Sequence, residues 1–200
     1  MRKGIAVTVV AVVASAGWAL NTPRAEQVFH VYLDKGSKVN HFAPSGWMGD
    51  YGDLKINDAD ASSPGEGKTS ATWTYTFKGS QGANWAGAYY QHPPNNWGTS
   101  PSGYNLNGFT KLKFLAKGSK GGETINEFKV GGITGEYSDS GAASIGPIVL
   151  TKNWKEYTID LKEAELSQIA GGFCWATARD ANPDFAESIT FSIDNVRFEK

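Results

Sequence analysis

From Val28 onward the chain alternates apolar and polar residues in short runs, and such a run marks a strand with one buried face. The clearest covers residues 69–77: Ala71, Trp73, Tyr75 and Phe77 point one way, and Thr72, Thr74 and Thr76 the other. Similar runs predict strands at residues 28–33, 85–91, 111–116, 126–130, 147–150, 156–161, 171–177 and 189–198. In the last of these, Ile189, Phe191 and Ile193 share a face, whereas Val196 and Phe198 fall on the opposite parity. One inserted residue inverts the faces of a strand, so a bulge is predicted near Asp194-Asn195. Helix is restricted to residues 162–169, with Leu166 and Ile169 packed inward and Gly171 ending it. About nine strands, joined by Gly-, Ser-, Pro- and Asn-rich loops at residues 61–68, 91–103 and 131–146, predict an all-β, two-sheet β-sandwich of jelly-roll topology.

The N-terminus breaks the pattern. Arg2 and Lys3 precede an apolar run over residues 5–13, followed by small residues, which is the order of a secretory signal. Residues 1–19 are read as a signal peptide, with Ala14-Ser15-Ala16 as the first cleavage motif and cuts as late as Ala25 as fallbacks. The alternative is an uncleaved anchor, for which the run is short and Ala-rich. No Cys follows the run, which argues against a lipid-anchored lipoprotein. Residues 27–200 then form one domain, secreted or periplasmic, with no membrane insertion after cleavage.

The 200 residues include seven Trp and 24 Gly, a mixture that suits many strands and tight turns rather than a helix bundle. The formal net charge is −1, and no basic stripe is present to hold nucleic acid. The single cysteine, Cys174, excludes an internal disulfide, and its apolar neighbours point to a buried small hydrophobe. A monomer is the expected form.

The most informative stretch runs from Asn84 to Gly98. On a strand, Trp85, Gly87, Tyr89 and Gln91 line one face and leave room between large rings for something flat. Sugars offer weakly polar C–H faces to rings and hydroxyls to amides, which Gln91, Asn95 and Asn96 could meet. Strand aromatics serve cores as often as ligands. Trp97 follows Pro-Pro-Asn-Asn in a loop, where a large ring needs a reason for order, whether ligand binding or a local staple. Trp47, in the Gly-rich stretch at residues 45–53, either borders the cleft or clamps strand ends. Trp175, with Arg179 and Asp180, marks a third edge. Trp73 and Trp154 are assigned to the core.

Catalytic patterns are weak. Glycoside hydrolysis needs two facing carboxyl groups. Asp50 with Asp53, Asp58 with Asp60, and Glu123 with Glu127 are available, but no spacing singles out a pair. There is no Gly-x-Ser-x-Gly elbow, and His30, His41 and His92 lack metal-ligand spacing.

The start Phe29-His30-Val31-Tyr32-Leu33-Asp34, the segment at residues 65–71, and the ending Phe191-Ser192-Ile193-Asp194-Asn195-Val196-Arg197-Phe198 resemble a known family. They are similar to jelly-roll carbohydrate-binding modules of extracellular polysaccharide-degrading systems, within the galactose-binding-like folds. The resemblance implies an aromatic platform on one concave sheet, at Trp85 and Tyr89. It also implies a possible structural calcium held by Asp194, Asp34 and carbonyls of Gly67-Lys68. The function expected is a secreted, non-catalytic protein that binds a neutral polysaccharide or oligosaccharide in an aromatic groove. The alternatives are a structural or adhesive β-sandwich of the cell envelope and a small polysaccharide-acting enzyme.

Overall fold

A computed structural model describes residues 28–200; the signal peptide read at residues 1–19 lies outside them. The first strands are β1 (Val28–Tyr32), β2 (Ala43–Gly49), β3 (Leu54–Asp60), β4 (Ser70–Thr76) and β5 (Trp85–Gln91). Then come β6 (Lys111–Gly118), β7 (Thr124–Ile125), β8 (Glu127–Gly131), β9 (Ala142–Ile145) and β10 (Ile148–Val149). The chain ends with β11 (Lys155–Asp160), β12 (Gly171–Ala178) and β13 (Ser188–Glu199). One main sheet runs β11-β6-β13-β4-β3, with β1 also paired to β13; the other runs β2-β5-β12-β8-β9, and β7 and β10 form a small two-stranded sheet. The pairings are antiparallel and join strands far apart in sequence, giving the jelly-roll sandwich.

The inward parity of each strand fills the space between the sheets. Trp73 and Tyr75 of β4, Phe114 of β6, Phe128 of β8, Phe173 and Trp175 of β12 and Phe191 of β13 are all fully buried there. Trp73 is the hub: its ring meets Trp175 at 5.0 Å and Trp47 at 5.4 Å, both edge-on. Edge-to-face pairs of this kind add to the area they bury.

The bulge in β13 falls where the alternation places it. The register against β6 shifts between Asp194 and Arg197, and Asn195 has φ 43°. Along its other edge, β13 pairs with β4 through Ile193 and with β1 from Val196 onward. The changeover leaves a gap in the ladder. The Asp194 carboxylate fills it, accepting from the backbone N–H groups of Gly65 (2.8 Å), Glu66 (3.0 Å) and Asn195 (2.7 Å).

Three expectations need correction. Residues 162–169 are not helical, and no α-helix occurs among the described residues. Leu166 and Ile169 are buried as expected, but the backbone bonds sideways to the preceding loop. Leu166 N–H donates to Asn107 Oδ1, Leu106 N–H to the Leu166 carbonyl, and Ile169 pairs with Tyr104 in both directions. Second, residues 43–49 form an edge strand, β2, that the alternation does not predict; its Pro44 and glycines hide the pattern at an edge, where a missing N–H is tolerated. Third, Trp154 is only half buried. It pins the surface loop instead, donating to the Ser63 carbonyl at 3.1 Å under the Lys117 ammonium.

Candidate functional site: the outer face of the five-stranded sheet

On β5 the parity holds: Ala86, Ala88 and Tyr90 enter the core, so Trp85, Gly87, Tyr89 and Gln91 face outward. The ladder sets their neighbours. One row across the sheet reads Met48, Gly87, Ala176, Glu127; the next reads Gly46, Tyr89, Cys174, Lys129, Ser144. Trp85 lies opposite Ala178 on the other side of the first row. Small residues therefore floor a strip between two aromatic flanks, Trp85 and Tyr89, whose Cα atoms stand about 13 Å apart on the strand. Gly87 has no space for a side chain, since a Cβ there would come within 2.6 Å of the Trp175 carbonyl oxygen on the neighbouring strand. Trp85 is fixed by its backbone, which accepts from Asp50 N–H at 2.8 Å, and its ring lies against Gly49.

The second flank is built by the loop after β5. Trp97 stands edge-on to Tyr89 at 5.8 Å. Asn96 beneath it is buried and saturated: Oδ1 accepts from Thr99 and Ser100 N–H, and Nδ2 donates to Ser102 Oγ and the Ser100 carbonyl. Gln91, also buried, donates to the Asn96 carbonyl at 3.1 Å and accepts from Ser45 Oγ at 3.0 Å. Asn95 donates its N–H to the same Ser45 Oγ and keeps its side chain exposed. A second loop buttresses the first, with Tyr137 N–H donating to the Gly98 carbonyl at 2.9 Å. That loop is held by Asp139, which accepts from Ile133, Ala170 and Gly171 N–H. Burial pushes the Asp139 carboxyl above its ordinary range despite these donors.

Trp85 is 39% exposed and Trp97 38%. Tyr89 is instead buried under Trp97, its hydroxyl donating to the Gly131 carbonyl at 3.0 Å, and burial raises its pKa. Cys174 is buried as expected, but on this outer side, packed with Tyr89 and Ile133, where burial raises its thiol pKa.

Five expected site residues do not serve as predicted, Tyr89 among them because Trp97 covers it. Gln91 and Asn96 are covered by the loop after β5 and spend their amides on holding it. Trp175 is fully buried between the sheets, because its ladder partners Ala88 and Phe128 also face the core. Trp47 opposes Ala88 too; the register shift between Pro44 and Gly46 sets its parity, and it packs on Trp73. Residues missed in the sequence are Met48, Lys129 and Tyr51, the last exposed in the turn after β2, together with Glu127 as a surface group. The signal that could have found the floor is the run of small residues at alternate positions of β12: Cys174, Ala176 and Ala178.

None of the nominated carboxylate pairs faces across this floor. Burial opposes the charge of Asp50, but N–H donors from Ala83, Gln81 and Asn84 outweigh it and hold its carboxyl below the usual range. Asp53 accepts from Ser80 N–H, Asp58 pairs with Lys35, and Asp60 accepts from Ser62 and Thr72. Glu123 is buried, while Glu127 faces outward. His41 stacks on Phe29 at 3.8 Å and His92 packs on Tyr104 at 4.5 Å.

Among the described residues no three His, Cys, Asp or Glu side chains form a metal cluster. The region of Asp34 and Asp194 is nonetheless rich in oxygen. Asp34 Oδ1 accepts from Lys68 and Thr69 N–H, and Asn195 Oδ1 is buried with no hydrogen-bond partner. Burial, with a smaller contribution from Asp34, pushes the Asp194 carboxyl up to about 6. An orphaned oxygen beside carboxylates fits a hard, oxygen-seeking cation.

The other sheet has a different surface. A polar depression of about 370 Å³ there is lined by Asp60, Thr72, Lys117, Thr190 and Ser192 among others, and none of its lining residues is aromatic. The exposed indoles Trp85 and Trp97 belong to the β2-β5-β12-β8-β9 side.

No known protein family matches the sequence, and neither does any curated protein. Solved structures do. The family 30 carbohydrate-binding module of a cellulosomal cellulase of Clostridium thermocellum superposes with a TM-score of 0.57 at 15% identity, covering 86% of this chain and 96% of that one. A second structure of a family 30 carbohydrate-binding module gives 0.57 at 16% identity, covering 86% and 98%. At this identity the likeness is one of fold, and the chain has the jelly-roll sandwich fold of carbohydrate-binding modules.

Proposed function

We propose that this protein is an exported, non-catalytic carbohydrate-binding protein that takes a neutral polysaccharide on the outer face of its five-stranded sheet. The observation that carries the reading is the pair of half-exposed indoles, Trp85 and Trp97, on either side of a floor that includes Gly87 and Ala176. Indoles exposed on a rigid frame offer flat apolar area at little ordering cost, which suits the C–H face of a sugar ring. The loop bearing Trp97 is preorganised by the Gln91 and Asn96 amides. The fold shared with modules from cellulases supports the same ligand class.

Titration of the mature domain with soluble glucans, mannans and xylans tests this, with Trp85→Ala and Trp97→Ala as controls. Binding that survives both substitutions in folded protein moves the site elsewhere. Export is tested by the mature N-terminus, expected between Gly17 and Glu26 in protein from the native host. A structural calcium is part of the proposal. Asp34, Asp194 and Asn195 Oδ1 would hold it with carbonyls of the turn around Gly67-Lys68, and it would supply charge neutralisation at the β13 bulge.

A further inference from the structure

The amides expected to meet the ligand are consumed by the loop, so the floor needs another polar group. We infer that Glu127 is the specificity-determining residue of this face: its carboxylate accepts hydrogen bonds from hydroxyls of a neutral glycan and turns away acidic ones. This inference rests on the carbohydrate-binding reading above.

Glu127 is the first residue of β8 and ends the row Met48, Gly87, Ala176, Glu127. Phe128 and Val130 enter the core, so the parity of β8 sends Glu127 and Lys129 outward. Two strand spacings, about 10 Å, separate Glu127 from Gly87, with only Ala176 between. Glu127 therefore ends, on the outward parity, the same row of small residues that the two indoles flank. It is half-buried and has no hydrogen-bond or ion-pair partner among the described residues. Lys129 does not neutralise it at close range: its side chain turns along the sheet to lie against Gly132. Burial raises the Tyr89 hydroxyl and the Cys174 thiol in the adjoining row, and Glu127 makes a smaller contribution in the same direction.

An ionised carboxylate only accepts. Its two oxygens match two neighbouring hydroxyls, and charge-assisted bonds of this type are stronger than those of an amide. The same charge repels a uronate or carboxymethyl group placed on the floor. Charge selection by this face thus comes from β8, although the rings come from β5 and its loop.

The test uses the mature protein and chemically matched probes: hydroxyethylcellulose against carboxymethylcellulose, and neutral xylan against glucuronoxylan. The parent is expected to prefer the neutral member of whichever pair it binds by about tenfold. Glu127→Ala should weaken neutral binding by about tenfold or more, with the melting point unchanged. Glu127→Gln, which keeps shape and removes charge, should bring the neutral-to-acidic ratio close to one, and Glu127→Lys should invert it. A Glu127→Ala variant with parental affinity, or a Glu127→Gln variant with an unchanged ratio, overturns the inference and leaves glycan binding intact. A parent that binds none of the neutral probes overturns the carbohydrate reading and this inference together.

Discussion

The Trp97 indole meets the Tyr89 ring edge-on, with centroids 5.8 Å apart and an interplanar angle of 85°. The loop ring is thereby held upright by the strand ring, and the two have different duties. Trp97→Ala should remove a ligand surface and cost about 2 kcal/mol or more in glycan affinity if the indole is a hot spot, with little change in melting. Tyr89→Phe should leave affinity near parental. It loses the bond to the Gly131 carbonyl and should cost about 1 kcal/mol of stability. Paired calorimetric titrations and melts separate the two.

Trp175→Ala should behave as a core deletion. Its indole packs between Trp73 and Phe191, so urea denaturation should show a loss of about 3–5 kcal/mol. Trp85→Ala should be nearly silent in the same assay and visible in binding. Equal stability losses in the two variants would contradict the placement of Trp85 on the surface.

The Asn96 side chain makes four hydrogen bonds inside its loop. Asn96→Ala strands the Thr99 and Ser100 N–H groups and should cost about 1–3 kcal/mol. Amide exchange at Thr99 and Ser100 should accelerate, and glycan affinity should fall although Asn96 never reaches the ligand. Unchanged exchange at both amides would show that the loop is held by other means.

Calcium binding to the native state alone would raise stability by mass action. Thermal melts of the mature domain with chelator and with added calcium should then differ, and Asp194→Asn should abolish the difference. Identical melts in both buffers remove the cation from the account.

Glu199 is buried against Lys113 and Arg197, with ion-pair distances of 2.7 Å to each. Burial opposes its charge, but the Lys113 and Arg197 partners prevail and lower its pKa from 4.5. A lowered carboxyl pKa gives stability that is present above the unfolded value and lost as pH falls through the folded one. Stability should therefore drop below about pH 4.5, and Glu199→Gln should be less stable at neutral pH with a flatter acid limb. A variant with the parental acid limb would assign that limb to other carboxylates.

Much of this protein is determined by the order of its residues alone. Alternation at residues 69–77 and 189–198 fixes which rings enter the core, because a strand can bury only every second side chain. The parity break at Asp194-Asn195 locates the bulge for the same reason. The outward set Trp85, Gly87, Tyr89, Gln91 is legible too. Pattern does not say what then covers an outward residue. Gln91 and Asn96 are buried because a loop folds back over them, and Tyr89 because Trp97 stands on it. Trp47 and Trp175 changed sides for a related reason: their faces depend on ladder register, set by partners far away in sequence. Residues 162–169 carry a helix-like spacing, yet the loop at Tyr104–Asn107 captures their backbone groups. Glu127 faces outward by parity, but only the pairing of β8 with β12, and of β12 with β5, sets it at the end of the row that the two indoles flank.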